Sequence, residues 1–331
     1  MATFTVYKLH FTTPIHIGDN RDDYGVSLKT IQSDTIYAAV ISCLAKLGER
    51  IPRDGELGCT VSSLFPFYQK KENANTVYFF PKPLKQSLPL LKNVEYAKKI
   101  KKVTWLDKEY FERVISGNTL FLEKKDIDDI KDEYLTGHTI GKKFIVSQVS
   151  PRVKITSRTG KEDAVPFYMD RIYFKDYSGL FFLVVGDTEL LEKGLNLLQH
   201  EGIGTDRNVG NGYFIYEKDE IDIEVPTQAI SALSLSMFIP ENKKQLSEML
   251  KGEIAYNYTR RGGWITTAPY NTIRKNVVHA FTPSSVFSMN IDNFTIKGKI
   301  VNLCPNIPEE LGKINHPIWR NGKSIFIPFK Q

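Results

Sequence analysis

The stretch HEGIGTDRNVGNGYF, residues 200–214, decides how the rest of the chain is interpreted. It places four glycines around an arginine and an asparagine: Gly202, Gly204, Gly210, Gly212, Arg207 and Asn208. Glycine lets backbone N–H groups approach an anion closely, and an arginine adds a bidentate phosphate contact. A tight turn with positive φ angles is the alternative explanation for some of these glycines. The flanking elements separate the possibilities.

The glycine stretch follows a predicted helix and precedes a predicted strand. Residues 187–202, DTELLEKGLNLLQHEG, carry apolar residues at helical spacing, and residues 212–225, GYFIYEKDEIDIEV, alternate. A dinucleotide fingerprint needs its glycines after a strand and before a helix, so that pyrophosphate meets the helix N-terminus. The order here is reversed, and the chain contains no GxxxxGK[ST] P-loop. Both nucleotide-binding classes are therefore disfavoured, and a backbone cradle for nucleic-acid phosphates is the favoured interpretation.

The N-terminal half reads as a βαββαβ pattern. Residues 3–11 predict a strand, and residues 33–49 predict a helix with Ser33 or Asp34 as its cap and Gly48 at its end. Residues 170–186, DRIYFKDYSGLFFLVVG, predict a hairpin around the turn from Asp176 to Gly179. With the helix and strand around the glycine stretch, this order is typical of a ferredoxin-like or RRM-like domain.

A second domain of related type is predicted after Pro226. Residues 228–239 predict a strand, residues 240–253 a helix opened by a proline, and strand-like pieces follow at 276–289, 294–303 and 324–329. We therefore predict an α+β chain with two ferredoxin-like/RRM-like domains, residues 1–225 and 226–331. The first carries an insertion at about residues 60–150 and a projecting β-hairpin at about 146–175.

Composition indicates a soluble globular protein, with 41% hydrophobic and 25% charged residues. No apolar run approaches the roughly 20 residues that cross a bilayer, so we predict a cytoplasmic protein with no membrane contact. Cys43, Cys59 and Cys304 lie far apart, which predicts buried thiols and neither a disulfide framework nor a zinc site. No cofactor and no metal are expected.

Positive charge is concentrated in two segments of a chain whose net charge is +6. Between Lys82 and Lys102 lie seven lysines and one acid, Glu95, either as a solvated helix face or loop or as an arm that contacts a partner. Residues 147–174 interleave cations with aromatics: Arg152, Lys154, Arg158, Lys161, Arg171, Phe167, Tyr168 and Tyr173. Such a mixture pairs with phosphates and stacks unpaired bases, although an ordinary exposed hairpin has a similar composition.

Four stretches together resemble the fourth Csm subunit of type III-A CRISPR effector complexes, a family of RAMP proteins. They are GIGTDRNVGNGYF, IHIGD with SLKTIQSDTIYAAV, TRRGGWI and HPIWRNGKSIFIP. The resemblance is weakest across residues 60–145. It implies a non-catalytic scaffold that holds the 5′ handle of the crRNA and docks the large polymerase/cyclase subunit and a backbone RAMP subunit, the third Csm subunit. It also implies that the hairpin is a thumb near the handle.

The candidate RNA contacts combine the resemblance with the chemistry of the residues. They are His16, Gly18, Ser33, Arg152, Lys154, Arg158, Arg171, Gly202, Gly204, Arg207, Asn208, Gly210, Gly212, Arg260 and Arg261. Ser33 is equally explained as a helix cap, and Arg260 and Arg261 could touch RNA or a neighbouring subunit. The family often has glycine where Thr205 stands, and Trp264 and Trp319 are expected in the core.

Three other functions stay open at this point. A metal-independent endoribonuclease that processes crRNA precursor would need an acid and a base near the attacked 2′-OH, and His16 with Tyr37 or Lys154 is the candidate set. A general single-stranded RNA-binding module is weakened by the missing RRM signature. The equivalent subunit of a type III-B complex is a close alternative.

Overall fold

The chain has an α+β fold, as its pattern predicts. A computed structural model describes residues 1–18, 24–85, 94–121, 124–154, 165–307 and 312–330. Its helices are α1 Ser33–Lys46, α2 Val94–Lys102, α3 Lys108–Ile115, α4 Lys124–Asp128, α5 Glu189–Glu201 and α6 Lys243–Met249. The first eleven strands are β1 Ala2–Phe11, β2 Cys59–Val61, β3 Phe65–Tyr68, β4 Val77–Pro81, β5 Trp105–Asp107, β6 Ile130–Lys131, β7 Tyr134–Leu135, β8 Ile145–Lys154, β9 Val165–Phe174, β10 Gly179–Gly186 and β11 Phe214–Ile223. The later strands are β12 Ala229–Ser234, β13 Tyr258–Arg261, β14 Val278–Phe281, β15 Val286–Ile291, β16 Thr295–Lys297, β17 Ile300–Asn302, β18 Trp319–Asn321 and β19 Ser324–Phe329.

The largest sheet contains nine strands of the described residues, in the order β11-β1-β10-β3-β4-β5-β7-β6, with β2 also paired to β10. Strand β1 is second from one edge and is antiparallel to both neighbours, so that Val6 is opposite Leu183 on one side and Asp219 on the other. Strands β5 and β7 are parallel. The segment predicted as an insertion, about residues 60–150, therefore extends the same sheet.

Alternating side chains give this sheet two apolar faces. On one face, Tyr7 and Leu9 of β1 pack with α1 and α5. On the other face, Phe4 and Val6 share a core with the insertion and with the C-terminal strands β12 and β19. The insertion contributes Phe111, among others, to that shared core. The two predicted domains are thus packed around one sheet, whose strand β1 has both faces covered.

The C-terminal part differs from a repeat of the βαββαβ pattern. Its four-stranded sheet has the order β15-β12-β19-β16, and α6 is the only α-helix among the described residues after Val225. The apolar run at residues 294–303 divides at Gly298, whose φ of 108° turns the chain. Strand β16 then pairs with β19, while β17 pairs with β18 in a separate ribbon.

The hairpin predicted at residues 170–186 is wrong. Strand β9 pairs with β8 over its full length, whereas β10 pairs with β1, β2 and β3. The turn from Asp176 to Gly179 carries the chain from the ribbon into the main sheet, with Asp176 at a φ of 54°. Strand β9 thus pairs with the strand before it, inside the segment of the other predicted hairpin at about 146–175, and not with β10 after the turn.

A buried ion cluster joins the start of α1 to the C-terminal part. The Asp34 side chain is 1% exposed and accepts hydrogen bonds from Arg261 Nε at 2.7 Å and Nη2 at 2.8 Å, and from Arg320 Nη1 at 3.0 Å. Neighbouring Ser33 accepts a hydrogen bond from the Met237 amide at 2.9 Å. Residue Gln32 is the helix N-cap, so neither predicted cap residue caps α1. Both side chains hold the two parts of the chain together.

The glycine stretch forms a loop that packs against the segment after β1. The amides of Thr205 and Gly212 donate to the carbonyl oxygens of His16 at 2.9 Å and Pro14 at 2.8 Å. All four glycines of the stretch have positive φ. A Cβ at Gly212 would overlap the backbone of Ile203, whereas a Cβ at Gly210 would meet open space. Internal packing therefore requires most of these glycines, beyond any role in binding.

None of the described helices is long and apolar enough to cross a membrane.

We expect Asp34→Ala to lower the free energy of unfolding by about 3 kcal/mol, because it leaves two guanidinium groups buried without their carboxylate. Urea unfolding measures the change. Glu189→Ala is the matched control, since Glu189 is 70% exposed in its pair with Lys193 and should contribute less than about 0.5 kcal/mol. A loss below about 1 kcal/mol for Asp34→Ala would contradict this role.

We expect Gly212→Ala to destabilise the protein far more than Gly210→Ala. Both residues have positive φ, which costs a non-glycine residue about 1–2 kcal/mol, but only the Cβ at position 212 meets backbone atoms. Gly212→Ala should therefore lose more than about 3 kcal/mol or fail to fold, with thermal unfolding as the measurement. Equal losses for the two variants would show that the loop is not packed as described.

Candidate RNA-binding surface

Three segments meet at one end of the main sheet: residues 12–17 after β1, the two-stranded ribbon β8–β9 and the glycine loop. Ile15 pairs with Ile172 of β9 through backbone hydrogen bonds of 3.0 and 2.8 Å. The loop bonds to Pro14 and His16 of the same segment. A short stretch of chain thus fixes the root of the ribbon and the glycine loop side by side.

Asp170 anchors the root of the ribbon. Its carboxylate accepts hydrogen bonds from the Ser27 amide at 3.0 Å and from the Ser147 hydroxyl at 2.7 Å. Its carbonyl oxygen lies 2.7 Å from His16 Nδ1, so this nitrogen of the ring donates the proton. His16 is only 1% exposed. The prediction that His16 contacts RNA needs correction, because its ring is buried as part of this anchor.

Two arginines reach the glycine loop from different elements. Arg152 of the ribbon lies with Nη1 3.7 Å from Asp206, and Arg207 of the loop lies with Nη1 3.9 Å from Glu201. Their side chains are 29% and 41% exposed. Both distances exceed a direct hydrogen bond, and a guanidinium has five N–H donors, so both groups keep donors for a phosphate.

The ribbon also exposes apolar and aromatic side chains on the face opposite Arg152, because Tyr168 pairs with Pro151 whereas Arg152 pairs with Phe167. Tyr168 is 66% exposed, Val149 52% and Val153 57%. Arg171 holds a buried Nε atom with no hydrogen-bond partner among the residues that the structure describes. An exposed tyrosine offers a face for a base, and an unpartnered guanidinium nitrogen favours an anion. The ribbon therefore has the chemistry of a single-stranded RNA contact.

The remaining candidates divide between exposed and buried positions. Gly18, Asn208 and Arg260 are exposed, and Gly202 and Gly212 are buried in the loop packing. Gly204 and Gly210 are partly exposed. Lys154 ends β8 with its side chain outside the described part, and Arg158 and Lys161 lie outside the described residues.

Ser33 and Arg261 need correction as candidate RNA contacts. Ser33 is 1% exposed and bonded to Met237, and Arg261 is committed to Asp34 in the cluster described above. In the sequence, Ser33 opens a helix whose N-terminal amides favour phosphate, and Arg261 stands in a basic glycine turn. Sequence gave no sign of their partners, which lie more than 200 residues away.

The lysine-rich segment has its cations on the outside of an amphipathic helix. In α2, Ile100 is buried, whereas Lys98, Lys99, Lys101 and Lys102 are exposed. Lys82 is partly buried, and burial lowers its pKa. Lys85 pairs with Glu253. Residues 86–93 of this segment lie outside the described residues. Its observed part fits a solvated helix face.

The residues proposed for a nuclease do not form an accessible pair. The Tyr37 hydroxyl donates to the Gly55 carbonyl oxygen, and burial raises the pKa of this tyrosine. His16 is buried at the ribbon root.

Burial also raises the pKa of the Cys43 thiol to about 11 and that of Cys59 to about 12. Within the described ranges, no group of three or more His, Cys, Asp or Glu residues is placed to hold a metal ion.

Sequence reasoning missed the acidic partners of this surface. Asp170 holds the ribbon root. Asp206 lies beside Arg152, and Glu201 lies beside Arg207. Asp170 was visible as the one acid in the strand VPFYMDRIYF, where a charge among aromatics indicates a fixed partner. The other two acids lie in or beside the glycine stretch, and no sequence signal links Asp206 to Arg152.

Comparison with known proteins supports one family. Residues 227–329 match the family described as the CRISPR Csm4 C-terminal domain. A Csm4 protein of Thermococcus onnurineus is 26% identical over 247 residues, which cover 70% of this chain and 75% of the relative. A Csm4 protein of Streptococcus thermophilus is 23% identical over 310 residues, covering 90% of this chain and 93% of the relative.

Solved structures with this fold include chains from two assemblies. A chain of a Csm3–Csm4 subcomplex of a type III-A interference complex matches all of this chain at 18% identity and a TM-score of 0.56. A chain of a Csm1–Csm4 cassette with cA4 covers 99% of this chain and 98% of its own length, at 17% identity and a TM-score of 0.55. At these identities the likeness concerns the fold. The chain is thus similar to Csm4 proteins of CRISPR Csm complexes along most of its length, and residues 227–329 match the Csm4 C-terminal domain.

Proposed function

We propose that this chain is a non-catalytic RNA-binding subunit of a type III-A Csm complex that holds the 5′ handle of the crRNA. The observation that carries the proposal is the meeting of Arg152 from the ribbon and Arg207 from the glycine loop at one surface. Two partly exposed guanidinium groups on different elements can bind successive phosphates of one strand. Tyr168 on the same ribbon supplies a stacking face.

The sheet order supports a ferredoxin-like N-terminal domain for this function. Strands β11, β1, β10 and β3 lie side by side, which places the fourth, first, third and second strands of a βαββαβ unit in that order. Helices α1 and α5 cover one face of this sheet. The insertion strands β4 to β7 continue the sheet beyond β3. This arrangement fits the predicted scaffold, with the ribbon joined to one end of the sheet beside the segment that follows β1.

The proposed protein partners follow from the family. The solved relatives come from Csm1–Csm4 and Csm3–Csm4 assemblies. We propose that this chain docks the corresponding large polymerase/cyclase subunit and backbone RAMP subunit, and that the complex works in the cytoplasm. A nuclease role is not favoured, because a general base must reach the 2′-OH of its substrate and His16 is buried.

Binding to labelled crRNA tests the proposal. The purified chain should shift crRNA with an intact 5′ handle more strongly than crRNA with a scrambled handle, and should leave both uncut in EDTA. Equal binding to both RNAs would favour a general single-stranded RNA-binding module. Defined cuts that persist in EDTA would instead favour an endoribonuclease.

Arginine variants test the surface. Arg152→Ala and Arg207→Ala should each weaken crRNA binding, and the double variant should lower the slope of log K against log salt by about 2, since two phosphate contacts are lost. Lys297→Ala is the matched control, because this exposed cation lies on β16 of the C-terminal sheet. An unchanged salt slope in the double variant, or the same loss in the control, would contradict the assignment.

A further inference from the structure

A groove of about 980 Å³ lies between the outer face of α1 and the C-terminal part of the chain. Residues Ala38, Ser42 and Ala45 of α1 line one side, at spacings of four and three that place them on one helix face. Ile265 and Ile318 line the other side. This groove is separate from the ribbon and the glycine loop, none of whose residues line it.

The shape of the groove suits a helix. Small side chains on α1 leave room for another backbone to approach closely, and apolar side chains on both walls offer area to bury. Among the described lining residues, the ring of Trp319 lies against Gly55, so its face is already occupied, and His316 at the rim is the remaining aromatic ring. The apolar walls of the groove therefore offer no free aromatic face on which RNA bases stack.

The charged residues that line the groove are all basic. Its charged or titratable lining residues among those described are Arg53, Lys275, Lys313 and His316, and none is acidic. The two arginines behind Lys275 already share a single carboxylate, since Arg261 and Arg320 both pair with Asp34. Burial, with a smaller contribution from Arg320, lowers the pKa of Lys275 to about 8.

A buried donor in the wall also lacks a partner. The indole Nε1 of Trp319 is buried and has no hydrogen-bond acceptor in the described part of the chain. An indole N–H can only donate, and this nitrogen is closed to solvent, so a docked group does not reach it directly. A carboxylate beside Lys275 would instead pair with its ammonium group and balance the positive charge of the lining.

We propose that this groove receives an amphipathic helix of a neighbouring protein subunit, with small or aliphatic side chains toward α1 and carboxylates toward Lys275 and the basic rim. The inference rests on the proposed function, in which this chain is one subunit of a larger complex. It adds the surface and the chemistry of the docked segment.

Charge-introducing variants test the groove. Ser42→Glu places a carboxylate on the exposed wall of α1 and should lower the affinity for one of the two protein subunits, the large or the backbone subunit, at least tenfold. Affinity for crRNA should not change. Ser247→Glu is the matched control, since it makes the same substitution at an exposed position of α6. Lys275→Ala should weaken the same protein interaction and lessen its salt dependence.

Cross-linking identifies the occupant directly. A photoreactive benzoylphenylalanine at position 42 of the assembled complex should link to a protein segment with apolar residues at helical spacing and carboxylates beside them. Links to RNA, or unchanged affinity of Ser42→Glu for both subunits, would overturn the inference. If the unmodified chain binds neither subunit, the proposed function fails, which is a different result from a variant that binds both normally.

Discussion

The buried carboxylate of Asp34 is the constraint on which the arrangement of this protein depends. It begins α1, and two arginines from the C-terminal part, Arg261 and Arg320, close over it. A charge with 1% exposure is tolerated only when its hydrogen-bonding capacity is filled, so the C-terminal part must sit where both guanidinium groups reach it. The position of α1 against that part also forms the groove proposed as a docking surface.

The same helix connects to the RNA-binding surface through packing. Helix α1 lies against α5, and α5 ends at Gly202, where the glycine loop begins. That loop is bonded to Pro14 and His16, and His16 is bonded to Asp170 of the ribbon. Arg152 and Arg207 therefore project from elements whose roots are fixed to each other. Such preorganisation reduces the entropy that is lost when a strand of RNA binds.

Local pattern predicted the elements well and their partners poorly. The strand at residues 3–11, the helices at 33–49 and 187–202 and the glycine loop follow from periodicity and from Gly202 as a helix end. The partners of β10 do not, because β1 and β3 lie far from it in sequence, whereas β9 pairs with the preceding strand within the segment of the hairpin predicted at about 146–175. At the site, too, the sequence does not reveal the partners of residues, as shown by His16, Ser33 and Arg261. Their residue types suit RNA, but each is bonded to a partner more than 150 residues away in sequence.

The glycines of residues 200–214 have two explanations, packing within the loop and binding of a ligand, and the sequence alone does not separate them. Positive φ and close backbone contact explain Gly202, Gly204 and Gly212 without any ligand. Gly210 meets open space, so packing explains it less. The functional signal of the loop lies in Arg207, whose guanidinium is held loosely by Glu201 at the surface. In the proposed function, the loop therefore holds Arg207 in place for a phosphate contact, and its glycines serve the fold.

The most direct test of the account is to map where the crRNA handle touches the assembled complex. Handle nucleotides carrying 4-thiouridine would be cross-linked by light, and the linked peptides identified by mass spectrometry. The account predicts links in the ribbon strands at residues 145–154 and 165–174 and in the glycine loop at 204–208. Links confined to the C-terminal residues 227–329, or absent from this chain, would contradict it.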